Sequence, residues 1–253
     1  YSKKRSLGKY DSLLQIVNHK SQVTDSLYGY GPSFNQINML GGLCLHNDGF
    51  RGQGLVIAVM DAGFDKTDSL PAFDSLRANK QILGTRDFVD NDTTVYESYW
   101  HGTAVLSTMG GNIPGQIIGT APKAKYWLLR TEDITGEYIA EEDNWVSAAE
   151  FADSVGADIF NTSLSYTTFD DSTQNHIYSD MDGNTTRMTI ATDIAASKGI
   201  LPVSGAGNNG NDPWYFIGTP ADADSALAVG AVDSLRNYAG FSSKGPSYDG
   251  RVK

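Results

Sequence analysis

Six apolar residues in an unbroken row, LVIAVM at positions 55–60, run straight into Asp61-Ala62-Gly63. A row of that length with no polar alternation fits a strand buried on both faces, and such strands occur where helices cover both sides of a parallel sheet. The chain keeps that rhythm. KYWLL at 125–129 reads as a second strand. Trp145, Ala148, Ala149, Ala152 and Val155 share one helical face, Gly156 stops that helix, and DIFNTSL at 158–164 returns as a strand. Ile190, Ile194 and Ala195 mark the next helix, Gly199 stops it, ILPVS at 200–204 returns, and ALAVGAV at 226–232 follows as a further strand. Helix, glycine and strand twice in succession predict parallel strands joined by right-handed crossovers. The expectation is a three-layer α/β fold, a mostly parallel central sheet flanked by helices. Pro202 is awkward in it, because proline has no N–H for the ladder.

Residues 1–45 are mixed and read as a segment wrapped around a main domain at 46–253. Within it, YDSLLQIVNHK at 10–20 predicts a short helix through Leu13, Leu14 and Val17. Tyr28-Gly29-Tyr30-Gly31-Pro32 reads as a turn, and 35–40 followed by Gly41-Gly42 as a helix with a glycine cap.

Charge and cysteine usage exclude several partners. Against 19 Lys and Arg stand 30 Asp and Glu, a formal net charge of −11. That surplus speaks against a nucleic-acid backbone or an anionic membrane surface, both of which need a basic face. No apolar row approaches the roughly 18 residues of a membrane span. The single Cys44 rules out an intrachain disulfide and a multi-cysteine metal site.

In an open parallel sheet, chemistry collects beyond the carboxyl ends of the strands. After LVIAVM comes Asp61, then two small residues that allow a tight turn. His101-Gly102-Thr103 opens a helical pattern, a place from which an imidazole reaches a cleft. After ILPVS comes Gly205-Ala206-Gly207-Asn208-Asn209-Gly210, where small residues leave room for a ligand and an amide can donate hydrogen bonds. Along the chain these come as Asp, then His, then an Asn on a glycine loop.

These segments together resemble the subtilisin-like serine proteases, the subtilase family. Asp61-Ala62-Gly63 is similar to the family's Asp box, with Ala62 where Ser or Thr is usual. His101-Gly102-Thr103 matches the His box, with Ala104 where a second His is common. Gly119-Thr120-Ala121-Pro122 matches the loop after the His helix, and Ala206-Gly207-Asn208 the oxyanion box. Asn161-Thr162-Ser163-Leu164-Ser165 resembles the strand along the substrate, with Ser165 in place of the usual Gly. Phe241-Ser242-Ser243-Lys244-Gly245-Pro246 resembles the stretch upstream of the serine box. The likeness covers roughly 52–253; residues 35–63 look most like secreted members of Bacteroidetes-type bacteria.

The resemblance implies a serine endopeptidase acting through a Ser-His-Asp triad. Asp61 would orient His101, His101 would move the proton, and Asn208 would donate to the oxyanion; Asn209 takes that place if the loop register shifts by one. Ser163, Leu164 and Ser165 would pair with an extended peptide substrate. Gly205, Ala206 and Gly207 would wall the pocket for the residue before the cleaved bond. The family's serine box falls beyond Lys253, so the expectation is an amino-terminal portion, with a sheet incomplete at its C-terminal end and the nucleophile on a missing or separate segment. The alternative is a non-catalytic, peptide-binding remnant. The resemblance further implies a secreted or cell-surface bacterial location, a C-terminal fragment of the same protease as partner, and no cofactor for catalysis. Structural calcium stays open, at 180–184 or 87–92, with no ligand set assigned.

Two other motifs fail on context. Gly205-x-Gly207-x-x-Gly210 is formally a dinucleotide fingerprint, but Asp212-Pro213 follows where a helix is required. Asp180, Asp182 and Asn184 begin like a calcium-binding EF-hand loop, yet Thr185 and Ala191 stand where Gly and Glu are needed.

Overall fold

A computed structural model describes residues 28–253. The helix expected at 10–20 lies outside the described residues. The chain enters through a 3-10 turn at Gly31–Ser33, then α1 (Phe34–Met39) and α2 (Gly42–Asn47). Gly41 ends α1 at φ +73°, the left-handed conformation that glycine adopts without a Cβ penalty. Tyr30, Ile37 and Leu43 close a small core around Ile118, and α2 runs across the boundary read at 45/46. His46 ties this segment down. It is 1 % exposed, with Nδ1 paired to the Tyr30 hydroxyl at 2.9 Å and Nε2 to the Thr120 carbonyl at 2.9 Å.

The main body contains β1 (Val56–Asp61), α3 (Asp74–Ala78), β2 (Ile82–Asp87), α4 (His101–Gly110) and the small antiparallel hairpin β3 (Asn112–Ile113) and β4 (Ile117–Ile118). There follow β5 (Lys125–Arg130), α5 (Ala140–Ser154), β6 (Ile159–Thr162), α6 (Arg187–Ser197), β7 (Leu201–Gly205) and β8 (Leu227–Val229). Six strands form one parallel sheet in the order β2-β5-β1-β6-β7-β8. β1 alternates between two cores. Ala58 and Met60 join Trp145, Ala148, Phe160 and Met188 under α5 and α6; Ile57 and Val59 join Leu76, Leu106, Tyr126 and Leu128 under α3 and α4. Apolar side chains on both faces explain why its sequence shows no alternation.

Pro202 fits because of register. The Leu201 amide donates to the Asp158 carbonyl on the β6 side, so the next residue faces β8. β8 begins at Leu227, opposite Val203, one residue too late to need an N–H from Pro202.

Trp145 is the largest wholly buried side chain; its ring meets Phe160 edge to face and its Nε1–H donates to the Thr162 hydroxyl at 3.1 Å. It fixes α5 on β6 just before the chain reaches 163–165. Trp145→Ala is expected to destabilise the protein by about 3–5 kcal/mol, from lost burial, a cavity and an orphaned hydroxyl. Urea denaturation monitored by circular dichroism measures the shift.

Candidate active site

The segments that carry Asp61, His101, Ser163, Ser165 and Asn208 meet at the carboxyl edge of the sheet, whereas 119–122 leads into the opposite end of β5. β1 lies between β5 and β6, and the chain fills the β5 side before crossing to the β6 side. A crevice opens where the strand order reverses in this way. Asp61 closes β1 in that position and is wholly buried. Its Oδ1 accepts from the Ala62 amide at 2.8 Å and from His101 Nδ1 at 2.7 Å, and its Oδ2 accepts nothing. A carboxylate can only accept, so the Nδ1 proton lies between the two side chains and Nε2 is left bare toward the cleft.

Two glycines make this meeting possible. His101 is the first residue of α4, and Gly102 follows it. A Cβ at Gly102 would lie 2.5 Å from the Gly63 carbonyl oxygen and 3.0 Å from the Asp61 Cβ. Gly63 sits at φ +149°, and a side chain there would strike the Ser98 hydroxyl and the Tyr99 amide. The helix can stand this close to the strand end only without those carbons. Thr103 anchors the same turn through its hydroxyl, which donates to the Asp65 carbonyl at 2.8 Å.

The His101 side chain, 38 % exposed, opens on a cleft of about 870 Å³. Ser163, Leu164 and Ser165 line one side; Gly205, Gly207, Asn208 and Asn209 line another, with Tyr99 and Glu132 beside His101. No backbone hydrogen bond joins 163–165 to another segment among the described residues. Asn208 is exposed to the cleft, and the Asn209 amide is held by the Ser243 hydroxyl at 3.0 Å. Ala206 departs from its expected place on the pocket wall. Its amide donates to the Val229 carbonyl, which turns its methyl into a core with Ile217 and Ala221.

The remaining motifs resolve in the same way. Turns follow β7 as far as β8, with no helix to receive a pyrophosphate. Asp87 and Asp90 both clasp the Arg130 guanidinium, at 2.7 and 2.6 Å. Asp180, Asp182 and Asp222 accept from the amides of Ile177, Asn184 and Gly183. Among the described residues no group of three or more His, Cys, Asp and Glu side chains is arranged to hold a metal ion.

Glu132 was not among the sequence candidates. It stands two residues past β5, and the rule that pointed to Asp61, the residues just after an apolar row, points equally to it once applied to KYWLL. Burial and the charges of Glu141, Glu137 and Asp61 push its carboxyl up to about 8. The hydrogen bond to Asp61 raises the His101 imidazole above its ordinary 6.5, against the lowering effect of burial, and the charges of Asp61 and Glu132 add to the rise. Burial pushes the Asp61 carboxyl up, and the bonds from His101 and Ala62 draw it back.

Comparison with known proteins identifies the family and the fold. The subtilase family model matches residues 52–253, and the chain belongs to that family. It is 31 % identical over 209 residues to subtilisin E of Bacillus subtilis (strain 168), an overlap of 81 % of this chain and 48 % of that protein. It is also 31 % identical over 209 residues to subtilisin of Bacillus pumilus, covering 81 % of this chain and 66 % of the relative. The chain thus spans about half the length of the first relative and two thirds of the second. Among solved structures, the prenylagaramide maturation protease PagA superposes with a TM-score of 0.58 at 22 % identity, over 82 % of this chain and 64 % of the other. MycP1 with its N-terminal propeptide removed gives 0.60 at 21 %, over 85 % and 67 %. Both share the fold.

Because Asp61 raises the His101 value, the pair strengthens the folded state below the ordinary histidine range, and that contribution is lost as pH rises through the folded-state value. The His101 imidazole resonances are expected to titrate above 6.5, and Asp61→Asn to bring the midpoint down. Proton NMR of the imidazole across pH 5–9 checks both.

Proposed function

We propose that this subtilase chain supplies the acid and the base of a serine endopeptidase, whose nucleophilic serine lies beyond Lys253 on a further segment of the same protease. The observation that carries the reading is the 2.7 Å hydrogen bond between wholly buried Asp61 and cleft-facing His101. In the proposed cycle, the serine hydroxyl attacks the scissile carbonyl while His101 Nε2 takes its proton. Asp61 holds the tautomer that leaves Nε2 free and stabilises the imidazolium. Collapse of the tetrahedral intermediate breaks the C–N bond, and the same proton passes from Nε2 to the leaving amine. Water then attacks the acyl carbon as Nε2 takes its proton, and collapse breaks the bond from the acyl carbon to the serine oxygen while Nε2 returns that proton to the serine.

The other residues take roles suited to their places. The Asn208 amide donates to the oxyanion as it forms. The free backbone edge at 163–165 receives an extended peptide as an added strand, and Gly205 and Gly207 leave room for its side chain. The substrate is therefore a protein or peptide in extended form. A secreted or cell-surface location in a bacterium belongs to this reading, in line with the family resemblance. No helix among the described residues is long and apolar enough to cross a membrane.

In the full-length protein a fluorophosphonate probe is expected to label a serine beyond Lys253, and His101→Ala to abolish labelling. Asp61→Asn should lower kcat by about 10⁴, the loss seen in another triad protease. Asn208→Ala should lower it by about 10²–10³, the figure that subtilisin, a relative, sets for one oxyanion donor. Loss in Asn209→Ala with Asn208→Ala intact would move the oxyanion role one residue on. A folded protein that takes no label and cleaves no peptide is a remnant, and the endopeptidase reading then falls.

A further inference from the structure

The cleft wall beside His101 carries a carboxylate that no cation neutralises. Glu132 makes no hydrogen bond or ion pair with any described residue. The nearest guanidinium in sequence, Arg130, is held by Asp87 and Asp90. Two of the carboxylates behind it are engaged: Glu141 accepts from the Asp133 and Tyr138 amides at 2.6 and 3.0 Å, and Glu142 pairs with His176 at 2.6 Å. Glu132 and Tyr99 form the wall shared by the cleft and a second hollow of about 380 Å³, whose other walls include Asp133, Glu137 and Asp170. No lysine or arginine lines either hollow.

Burial, and after it the charges of Glu141, Glu137 and Asp61, push the Glu132 carboxyl up to about 8, so its ionised form stands in the cleft without the partner that a half-buried carboxylate needs.

We infer that Glu132, with Tyr99 beside it, forms a subsite for a lysine or arginine side chain of the peptide substrate. This deepens the endopeptidase reading and rests on it. The side chain belongs to a residue flanking the scissile bond, because Glu132 and His101 line one cleft with 163–165. Its aliphatic stem lies along the cleft while the charged head reaches the second hollow. The arriving cation draws the proton from Glu132 and forms a charge-assisted hydrogen bond, and the Tyr99 ring offers it a π face. A neutral side chain of the same length leaves the carboxylate half-buried and unpaired.

The test uses the full-length protein and a set of peptides identical but for lysine or norleucine at each position around the scissile bond. At one position lysine is expected to raise kcat/KM about tenfold over norleucine, as one partly desolvated ion pair would. Glu132→Gln should bring that ratio to near one, and Glu132→Asp, which keeps the charge, should retain part of it. Equal cleavage of both peptides at every position, or a preference that survives in Glu132→Gln, overturns the subsite while leaving the endopeptidase intact. If nothing is cleaved, fluorescence anisotropy with the same labelled peptides reads the subsite directly. Tighter binding of the lysine peptide, lost in Glu132→Gln, supports it, and equal binding refutes it.

Discussion

The hydrogen bond from His101 to Asp61 is the interaction around which this end of the molecule is arranged. A carboxylate with no exposure is expensive to hold in a protein interior unless it is bonded. Asp61 has two bonds on one oxygen and none on the other. The imidazole therefore stabilises the carboxylate, and the carboxylate determines which imidazole nitrogen faces the cleft. Both partners come from separate stretches of chain, 40 residues apart in sequence. Their approach depends on Gly63 and Gly102, where added carbons would collide with backbone. The site's electrostatics thus rest on a steric condition.

The sheet supplies the rest. Because β1 is internal, its last residue is buried from both sides by the neighbouring strand ends. The segment after β5 brings Glu132, and the segment after β6 brings 163–165 with an unpaired backbone edge. β7 ends in glycines that leave the cleft open. Trp145 and Arg130 hold these ends in place: one ties α5 to Thr162 at the end of β6, the other joins the end of β5 to Asp87 at the end of β2 and to Asp90 in the loop after it. Apolar packing under the sheet and polar chemistry at its edge are therefore mechanically linked.

What could be read from the sequence follows from how local each constraint is. β1 declares itself by an unbroken apolar row, and α5 and α6 end at Gly156 and Gly199, both at positive φ. β2, ILGTRD, went unread because an edge strand is covered on one flank only and carries polar residues. Its Gly84 is set by the Trp127 ring of the neighbouring strand, which no local pattern announces. α5 starts earlier than its apolar face suggested; its first turn holds Glu141, Glu142 and Asp143, charges suited to a helix N-terminus and invisible to a search for hydrophobic periodicity. The Asp and His boxes were legible as residues, whereas the need for glycine at 63 and 102 appears only once strand end and helix start are seen together. Ala206 was misplaced for the same reason: which way a loop methyl turns depends on the β8 carbonyl that captures its amide.

The two carboxylates near His101 act on it with unequal consequence. Asp61 bonds it and cannot be displaced by substrate. Glu132 touches it only through its charge, and that charge adds to the rise in the imidazole value. A base works best when its value lies near the pH at which it operates, since too high a value leaves it protonated and idle. Glu132 is itself pushed up to about 8, so near neutral pH its carboxyl is largely protonated and it adds its charge to that rise only as pH climbs. A cation seated there takes the place of the proton, and the wall presents the same net charge to His101 before and after. Asp61 therefore sets the value of the base, while Glu132 serves recognition and leaves that value alone.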